Sequence, residues 1–146
     1  MSSHASSLFG TVANRDYLGF WANQTLNARG VADFLDLDKR DIAKVAGVAP
    51  ASVRYDQKIP QEVLDRLKEI ANICGLVAQF FEGDRVKTAL WFKTKNPILG
   101  DISPRDMIRF GRYERLRRFV MTALEENIAK PVEASANGPS AARTSS

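Results

Sequence analysis

The sequence has little of what catalysis or metal binding usually needs. Its 146 residues include one cysteine, Cys74, and one histidine, His4. A single cysteine excludes an internal disulfide and a cysteine-rich zinc site, and it favours a reducing, cytoplasmic setting. A single histidine close to the N-terminus leaves few candidates for acid–base or nucleophilic catalysis near neutral pH. We therefore expect no catalytic residues, no metal site and no cofactor.

Membrane and targeting signals are also missing. No run of about 18 apolar residues occurs, so a transmembrane helix is not expected. The first seven residues are small and polar, and they lack the basic and apolar regions of a secretory signal. Glycine-rich phosphate-binding motifs are absent as well. These absences favour a binding protein over an enzyme or a membrane protein.

The residues that are present predict an all-α fold. Apolar positions recur every three or four residues, without strand-like alternation, and the longest predicted helix, Gln61–Phe81, is apolar enough to lie at the centre. Its apolar stripe fits either core packing or a self-association seam. We divide the chain into an N-terminal arm with a first helix over Arg15–Asn27 (1–30), a helix-turn-helix region with the central helix (31–82), a second small helical unit (83–129) and a flexible tail (130–146).

The run Asp38–Tyr55 shows the pattern of a helix-turn-helix. Asp38 would cap a helix over Lys39–Ala46, Gly47 would make the turn, and Pro50 would open a second helix over Pro50–Asp56. Helical hairpins in ordinary all-α domains can show the same pattern. If it marks DNA binding, the second helix enters the major groove, and the residues expected to contact operator DNA are Lys39, Arg40, Ser52, Arg54, Tyr55 and Lys58.

This second helix is short, and Asp56 near its end would repel phosphate. One copy should therefore bind DNA weakly, so we expect a homodimer on a two-part site. The net charge of +4 is compatible with nucleic acid but does not establish it.

A second pattern lies over Ala89–Val120, which reads ALWFKTKNPILGDISPRDMIRFGRYERLRRFV. Trp91 ends a predicted helix, an Asn-Pro-Ile-Leu-Gly loop follows at 96–100, Ser103-Pro104 opens a short helix, and Gly111 leads into the last one. This order resembles the toxin-binding domain of the Xre/MbcA/ParS class of antitoxins. Members of this class place an Xre-type helix-turn-helix upstream, linked by a long helix. The resemblance covers about 31–128. The sequence departs from it at Lys95, where proline is frequent, and near Asp101, where a second glycine is usual.

The resemblance implies an antitoxin of a type II toxin–antitoxin system. Such a chain binds a RES-domain toxin that degrades NAD, occludes the toxin's active site, and represses its own operon by binding operator DNA as a dimer within a larger complex. Some ParS-type relatives face a toxin that modifies proteins with ADP-ribose. The residues expected to bind the toxin are Trp91, Asn96, Pro97, Leu99, Gly100, Arg112, Tyr113, Arg115, Arg117 and Arg118. The arginines among them can meet acidic groups around a nucleotide pocket.

Other interpretations of the same residues remain open. The arginines of 101–120 can form an ordinary solvated helix face, and Trp91 and Phe92 can be core residues. The alternative function is a stand-alone helix-turn-helix transcriptional regulator whose C-terminal unit only oligomerises. That alternative predicts DNA binding and no toxic neighbour.

Overall fold

The computed structural model describes residues 16–55 and 58–129, which are mostly helical and confirm the all-α class. The predicted tail, the first half of the arm with His4, and Asp56 lie outside these residues. The elements of the described part are β1 (Trp21–Ala22), β2 (Thr25–Leu26), α1 (Ala28–Phe34), α2 (Lys39–Ala46), α3 (Gln61–Phe80), α4 (Arg85–Lys93), α5 (Pro104–Arg109) and α6 (Tyr113–Ala129), with 3-10 turns at Pro50–Ser52 and Pro97–Leu99.

Helix α3 lies at the centre, as its apolar pattern predicts. It contacts α1, α2, α4 and α6. Its apolar residues recur at three- and four-residue spacing, so they form one wide stripe that these neighbours cover. The buried members of the stripe are Val63, Leu67, Ile70, Cys74 and Val77, with Ala71, Ile73, Ala78 and Phe80 beside them.

Three predicted helix starts are confirmed with their caps. The Asp38 carboxylate accepts from the N–H of Asp41 (2.8 Å), and the Asp41 carboxylate accepts from the N–H of Asp38 (3.1 Å), which completes a capping box on α2. Asp84 caps α4 by accepting from a backbone N–H (3.0 Å). Ser103 caps α5 in the same way, with a proline at the first helical position.

The predicted first helix, Arg15–Asn27, is wrong over the described residues. The chain turns instead into an antiparallel hairpin of β1 and β2. The Asp16 carboxylate accepts from the N–H groups of Phe20 and Trp21 (2.9 Å each), so these groups are diverted from a helical ladder. Gly19 and Asn23 have left-handed backbone (φ 70° and 60°), which a helix cannot contain.

Asn27, the last residue of the predicted first helix, instead begins α1. Its side chain accepts from the N–H of Gly30 (3.0 Å), so the predicted boundary at residue 30 falls inside α1.

The second helix of the predicted helix-turn-helix is absent as well. Gly47 makes the predicted left-handed turn (φ 74°), but Pro50–Ser52 is a single 3-10 turn, and Val53 already has extended backbone (φ −82°, ψ 112°). A segment this short cannot offset the cost of helix nucleation, and serine and β-branched valine add little helix propensity. Burial of Val53 against the core fixes the extended conformation.

One hydrophobic core joins the two helical units predicted at 31–82 and 83–129. Its aromatic side chains meet edge to face, with ring centroids 5.6 Å apart for Phe20 and Phe34 and 6.5 Å apart for Phe34 and Phe92. Phe92 is fully buried although it belongs to the second unit. The hairpin, which the family resemblance does not explain, contributes Phe20 and Leu26 to this core.

Candidate functional site

Three of the predicted DNA-contacting residues line a groove between α1, the start of α2 and the segment after Pro50. The side chains of Leu37 and Val53 line this groove and are buried. Because successive residues of extended backbone point to opposite sides, burial of Val53 turns Arg54 outward, and Arg54 is exposed. The 3-10 turn therefore presents one arginine where the sequence predicted a row of helical residues.

The groove carries charges of both signs. Arg29, Lys39 and Arg54 line it together with Asp33 and Asp38. A hydrogen bond from the backbone of Asp41 holds the pKa of Asp38 below its usual value, so this carboxylate is ionised at neutral pH. A phosphate entering the groove would meet at least this carboxylate as well as the cations.

Tyr55 forms one wall of the groove beneath Arg29, whose guanidinium lies 5.9 Å from the centroid of the ring. Burial raises the pKa of Tyr55, and the nearby charge of Asp33 raises it further. The phenol is therefore neutral at physiological pH.

The structure gathers only part of the predicted DNA-binding set. Lys39, Arg54 and Tyr55 line the groove. Arg40 and Lys58 are exposed and Ser52 is half-buried, but none of these three lines it.

In the second unit, Asn96 and Gly100 shape the loop that precedes α5. The Asn96 side chain accepts from the N–H of Ile98 (2.9 Å), and its backbone N–H donates to the carbonyl of Ile102 (3.0 Å). Gly100 closes the 3-10 turn with left-handed backbone (φ 96°). These two residues from the predicted toxin-binding set thus fix the conformation of the loop. Of the other two loop residues in that set, Pro97 is exposed and Leu99 packs against the core.

Trp91 and Phe92 occupy different depths on α4. Phe92 is fully buried and Trp91 is half-buried, with their ring centroids 5.1 Å apart and the planes nearly perpendicular. The expectation that at least one of them is a core residue is met by Phe92. Trp91 remains partly exposed.

The arginines of 101–120 divide into inward and outward groups. Arg109 donates to the carboxylates of Asp41 (3.1 Å) and Asp106 (2.9 Å), and Arg105 donates to the carbonyl of Asp36 (2.6 Å). Both arginines therefore join α5 to the N-terminal half of the molecule. Among the predicted toxin-binding residues, Arg117 pairs with Glu114 at 3.3 Å. The other arginines of this set, Arg112, Arg115 and Arg118, are exposed. Their side chains form no hydrogen bond or ion pair within the described ranges.

Tyr113 lies at the junction of α2, α3 and α6. The guanidinium of Arg66 sits over its ring, 4.2 Å from the centroid, and hydrogen-bonds to its hydroxyl and to Glu69. The same arginine donates to the carbonyl of Val45 near the end of α2 (3.0 Å). Burial raises the pKa of Tyr113, and the positive charge of Arg66 opposes that rise. Tyr113 is therefore half-buried and held by a neighbouring helix.

Sequence reasoning missed the exposed apolar side chains. The large hydrophobic residues that stand out from the described surface are Val86 (76% exposed), Leu90 (63%), Phe110 (49%) and Ile98 (42%). The four-residue spacing of Val86 and Leu90 places both on one face of α4. That spacing was readable from the sequence, but it did not show that the face is turned away from the core.

Cys74 is buried in the stripe of α3, and burial raises the pKa of its thiol well above the usual value. It is therefore a core side chain and not a nucleophile. In residues 16–55 and 58–129, no three His, Cys, Asp or Glu side chains lie close enough together to share a metal ion.

Comparison with known proteins gives no match: no family model, no curated protein and no solved structure is significantly similar to this chain. The resemblance to the Xre/MbcA/ParS antitoxins therefore rests on the residues of the motif over Ala89–Val120. None of the helices in the described part is long and apolar enough to cross a membrane.

Proposed function

We propose that this chain is an antitoxin that binds and neutralises a RES-type, NAD-degrading toxin by occluding its active site. It also binds operator DNA and represses its own operon. It has no catalytic activity and needs no cofactor. It acts in the cytoplasm, as a homodimer within a larger toxin–antitoxin complex.

One observation carries the toxin-binding part of this proposal. All the large hydrophobic side chains exposed on the described surface, which are Val86, Leu90, Ile98 and Phe110, lie in the unit at 83–129. That is the unit whose motif resembles a toxin-binding domain. The half at 16–82 keeps its large apolar residues buried or half-buried within the described ranges. Apolar side chains left in water mark surfaces that a partner covers.

The chemistry of this unit suits a protein partner. Val86 and Leu90 supply apolar contact on α4, and Trp91 beside them keeps one edge accessible. Tryptophan and other large apolar residues dominate the energy of many protein interfaces. We therefore assign the toxin to the surface formed by α4 and the 3-10 turn at Pro97–Leu99.

The test is a pull-down of the chain from cells that carry its native flanking genes, followed by mass spectrometry of the retained proteins. A stoichiometric small protein from the adjacent gene is the expected result. The double variant Val86→Ser/Leu90→Ser should lose that protein, because it removes the apolar face of α4. Both side chains are exposed, so the variant should keep its fold.

The matched control is Lys87→Ser on the same helix. Lys87 is exposed, so this change tests for altered helix propensity without removing apolar surface. The control should retain the partner. If the native chain returns alone, as a dimer that still shifts its upstream DNA, it is a stand-alone regulator and the antitoxin proposal is wrong.

A further inference from the structure

A second surface of the molecule is cationic, and its residues line neither the groove nor the apolar face of α4. It starts on α2, where Arg40 and Lys44 are both exposed and, being four residues apart, lie on one face of the helix. The Nζ atom of Lys44 is 5.8 Å from the centroid of the Phe110 ring. This contact brings the end of α2 beside the segment that leads into α6.

The surface continues with the unpaired arginines of that segment. Arg112 directly precedes α6, and its carbonyl accepts the N–H of Leu116 (3.2 Å). Arg115 and Arg118 follow at three-residue spacing on one face of the helix. We call the set Arg40, Lys44, Arg112, Arg115 and Arg118 the α2–α6 cationic surface.

Two contacts hold α2 in place beside α5 and α6. Arg66 joins the carbonyl of Val45 to the hydroxyl and ring of Tyr113. Arg109 of α5 donates to the carboxylate of Asp41 on α2. Residues on either side of Lys44 and of Arg112 are therefore held in place, and the cations start from a rigid frame.

The three arginines of this surface have no side-chain partner among the described residues. The nearest acids along the chain are already paired, Asp41 and Asp106 with Arg109, and Glu114 with Arg117. Arg112 and Arg115 also stand at the N-terminal end of α6, where the helix dipole disfavours positive charge. A bound polyanion would relieve both the mutual repulsion and the unfavourable dipole interaction.

We propose that the sugar-phosphate backbone of duplex DNA docks on the α2–α6 cationic surface. This inference rests on the DNA-binding part of the proposed function and reassigns the arginines from the toxin to DNA. The groove at Arg54 contains ionised Asp38 and is poorly suited to phosphate. From Arg112 to Arg118 the chain advances about 9 Å at helical rise, so these arginines form a short cationic row that a phosphate backbone can follow.

Such contacts supply affinity and orientation but carry no sequence information. Base contacts would fall to the groove that Arg54 and Tyr55 line. Without a recognition helix, the protein should therefore lose more of its sequence specificity than of its affinity for DNA.

The test is binding of a fluorescently labelled duplex of mixed sequence, about 25 base pairs long, measured by anisotropy between about 50 and 200 mM KCl. The double variant Arg112→Gln/Arg115→Gln should bind at least about tenfold more weakly at the lowest salt. Its plot of log affinity against log salt should be shallower by about 1.8, because each lost phosphate contact removes about 0.9 from the slope. Lys87→Gln/Lys95→Gln removes the same charge from exposed positions in and after α4 and should bind nearly as the native chain does.

A third variant, Lys39→Gln/Arg54→Gln, separates this inference from the proposed function. It should keep most of its affinity for the mixed-sequence duplex. If it loses binding while Arg112→Gln/Arg115→Gln does not, the groove holds the DNA and the inference is wrong, but DNA binding stands. If the native chain does not bind duplex at all, the inference and the DNA-binding part of the proposed function fail together, and the pull-down decides the toxin-binding part separately.

The remaining possibility is that Arg112 and Arg115 bind the toxin, and the pull-down with Arg112→Gln/Arg115→Gln tests it. Retention of the partner protein is expected. Loss of the partner with unchanged duplex binding would assign Arg112 and Arg115 to the toxin and overturn the inference.

Discussion

At the residue scale, the arginines of 101–120 show how neighbours decide what a side chain does. Arg109 is held between two carboxylates, and these hydrogen bonds raise its pKa. Arg115, six residues later, meets solvent only. The sequence establishes that the segment is basic, but which arginines point inward depends on the left-handed turn at Gly111 (φ 81°), which sets the direction of α6 relative to α5.

Asp38 gives a direct prediction at this scale. Asp38→Ala removes the capping box of α2 and should lower Tm by about 2 to 4 °C at pH 7. Asp38→Asn keeps an oxygen that can accept from the N–H of Asp41 but lacks the carboxylate charge, so it should recover only part of the loss. Thermal unfolding followed by circular dichroism measures both variants.

The same residue predicts a dependence on pH. The pKa of Asp38 is lower in the folded chain than its ordinary value of 3.8, so its ionised form stabilises the fold above that pH. This contribution is lost as pH falls through the lowered pKa. The gap in Tm between the native chain and Asp38→Ala should therefore narrow below about pH 4. An equal gap at pH 7 and pH 3 would show that the carboxylate charge is not involved.

At the element scale, the helices that carry strong local signals were predictable. The long apolar stripe of α3 and the caps at Asp38, Asp84 and Ser103 are all where the sequence places them. The β1–β2 hairpin was not predictable from spacing, because two-residue strands have no alternation to detect, and Asp16 acts on backbone groups four and five residues away. The 3-10 turn at Pro50–Ser52 was missed because burial of Val53 overrides a local helix signal.

The predicted binding residues depend on these elements. Lys39 lies where it was predicted because α2 forms as predicted. Ser52 and Lys58 do not, because their predicted positions depended on the second helix. The exposed face of α4 could not be recognised, since its exposure depends on which side of the helix the other elements cover.

A pair of glycine variants tests the account of two elements. Gly75 lies inside α3, and an added methyl group would meet no atom within 4 Å. Gly75→Ala should stabilise the chain by about 0.5 to 1 kcal/mol. Gly47 has equally open surroundings but left-handed backbone (φ 74°), so Gly47→Ala should destabilise it by about 1 kcal/mol. Urea unfolding at equilibrium gives both values, and the same sign for both changes would contradict the assigned backbone conformations.

At the scale of the whole molecule, the two predicted units share one core, so we expect them to unfold together. The sequence has two tryptophans, Trp21 in the hairpin and Trp91 on α4. When one tryptophan is replaced, the fluorescence of the remaining one reports on its own end of the molecule. In Trp21→Phe and Trp91→Phe, fluorescence should follow the same urea midpoint as circular dichroism of the same variant. Distinct midpoints within one variant would show that 31–82 and 83–129 fold as separate domains.

The functional surfaces are also distributed over the whole molecule. Large apolar side chains are exposed only on the described part of the second unit, the mixed-charge groove lies on the first, and the cationic surface joins the two. Such an arrangement allows a protein partner on α4 and DNA on the α2–α6 cationic surface.

The central claim is that this chain neutralises a toxin, and the most direct measurement is growth together with cellular NAD. The gene adjacent to this one is expressed alone, then with the native chain, and then with Val86→Ser/Leu90→Ser. We expect the product of the adjacent gene alone to arrest growth and deplete NAD. The native chain should restore both growth and NAD, and the variant should restore neither. A harmless gene product, or a toxic one that the native chain leaves active, would contradict the antitoxin proposal.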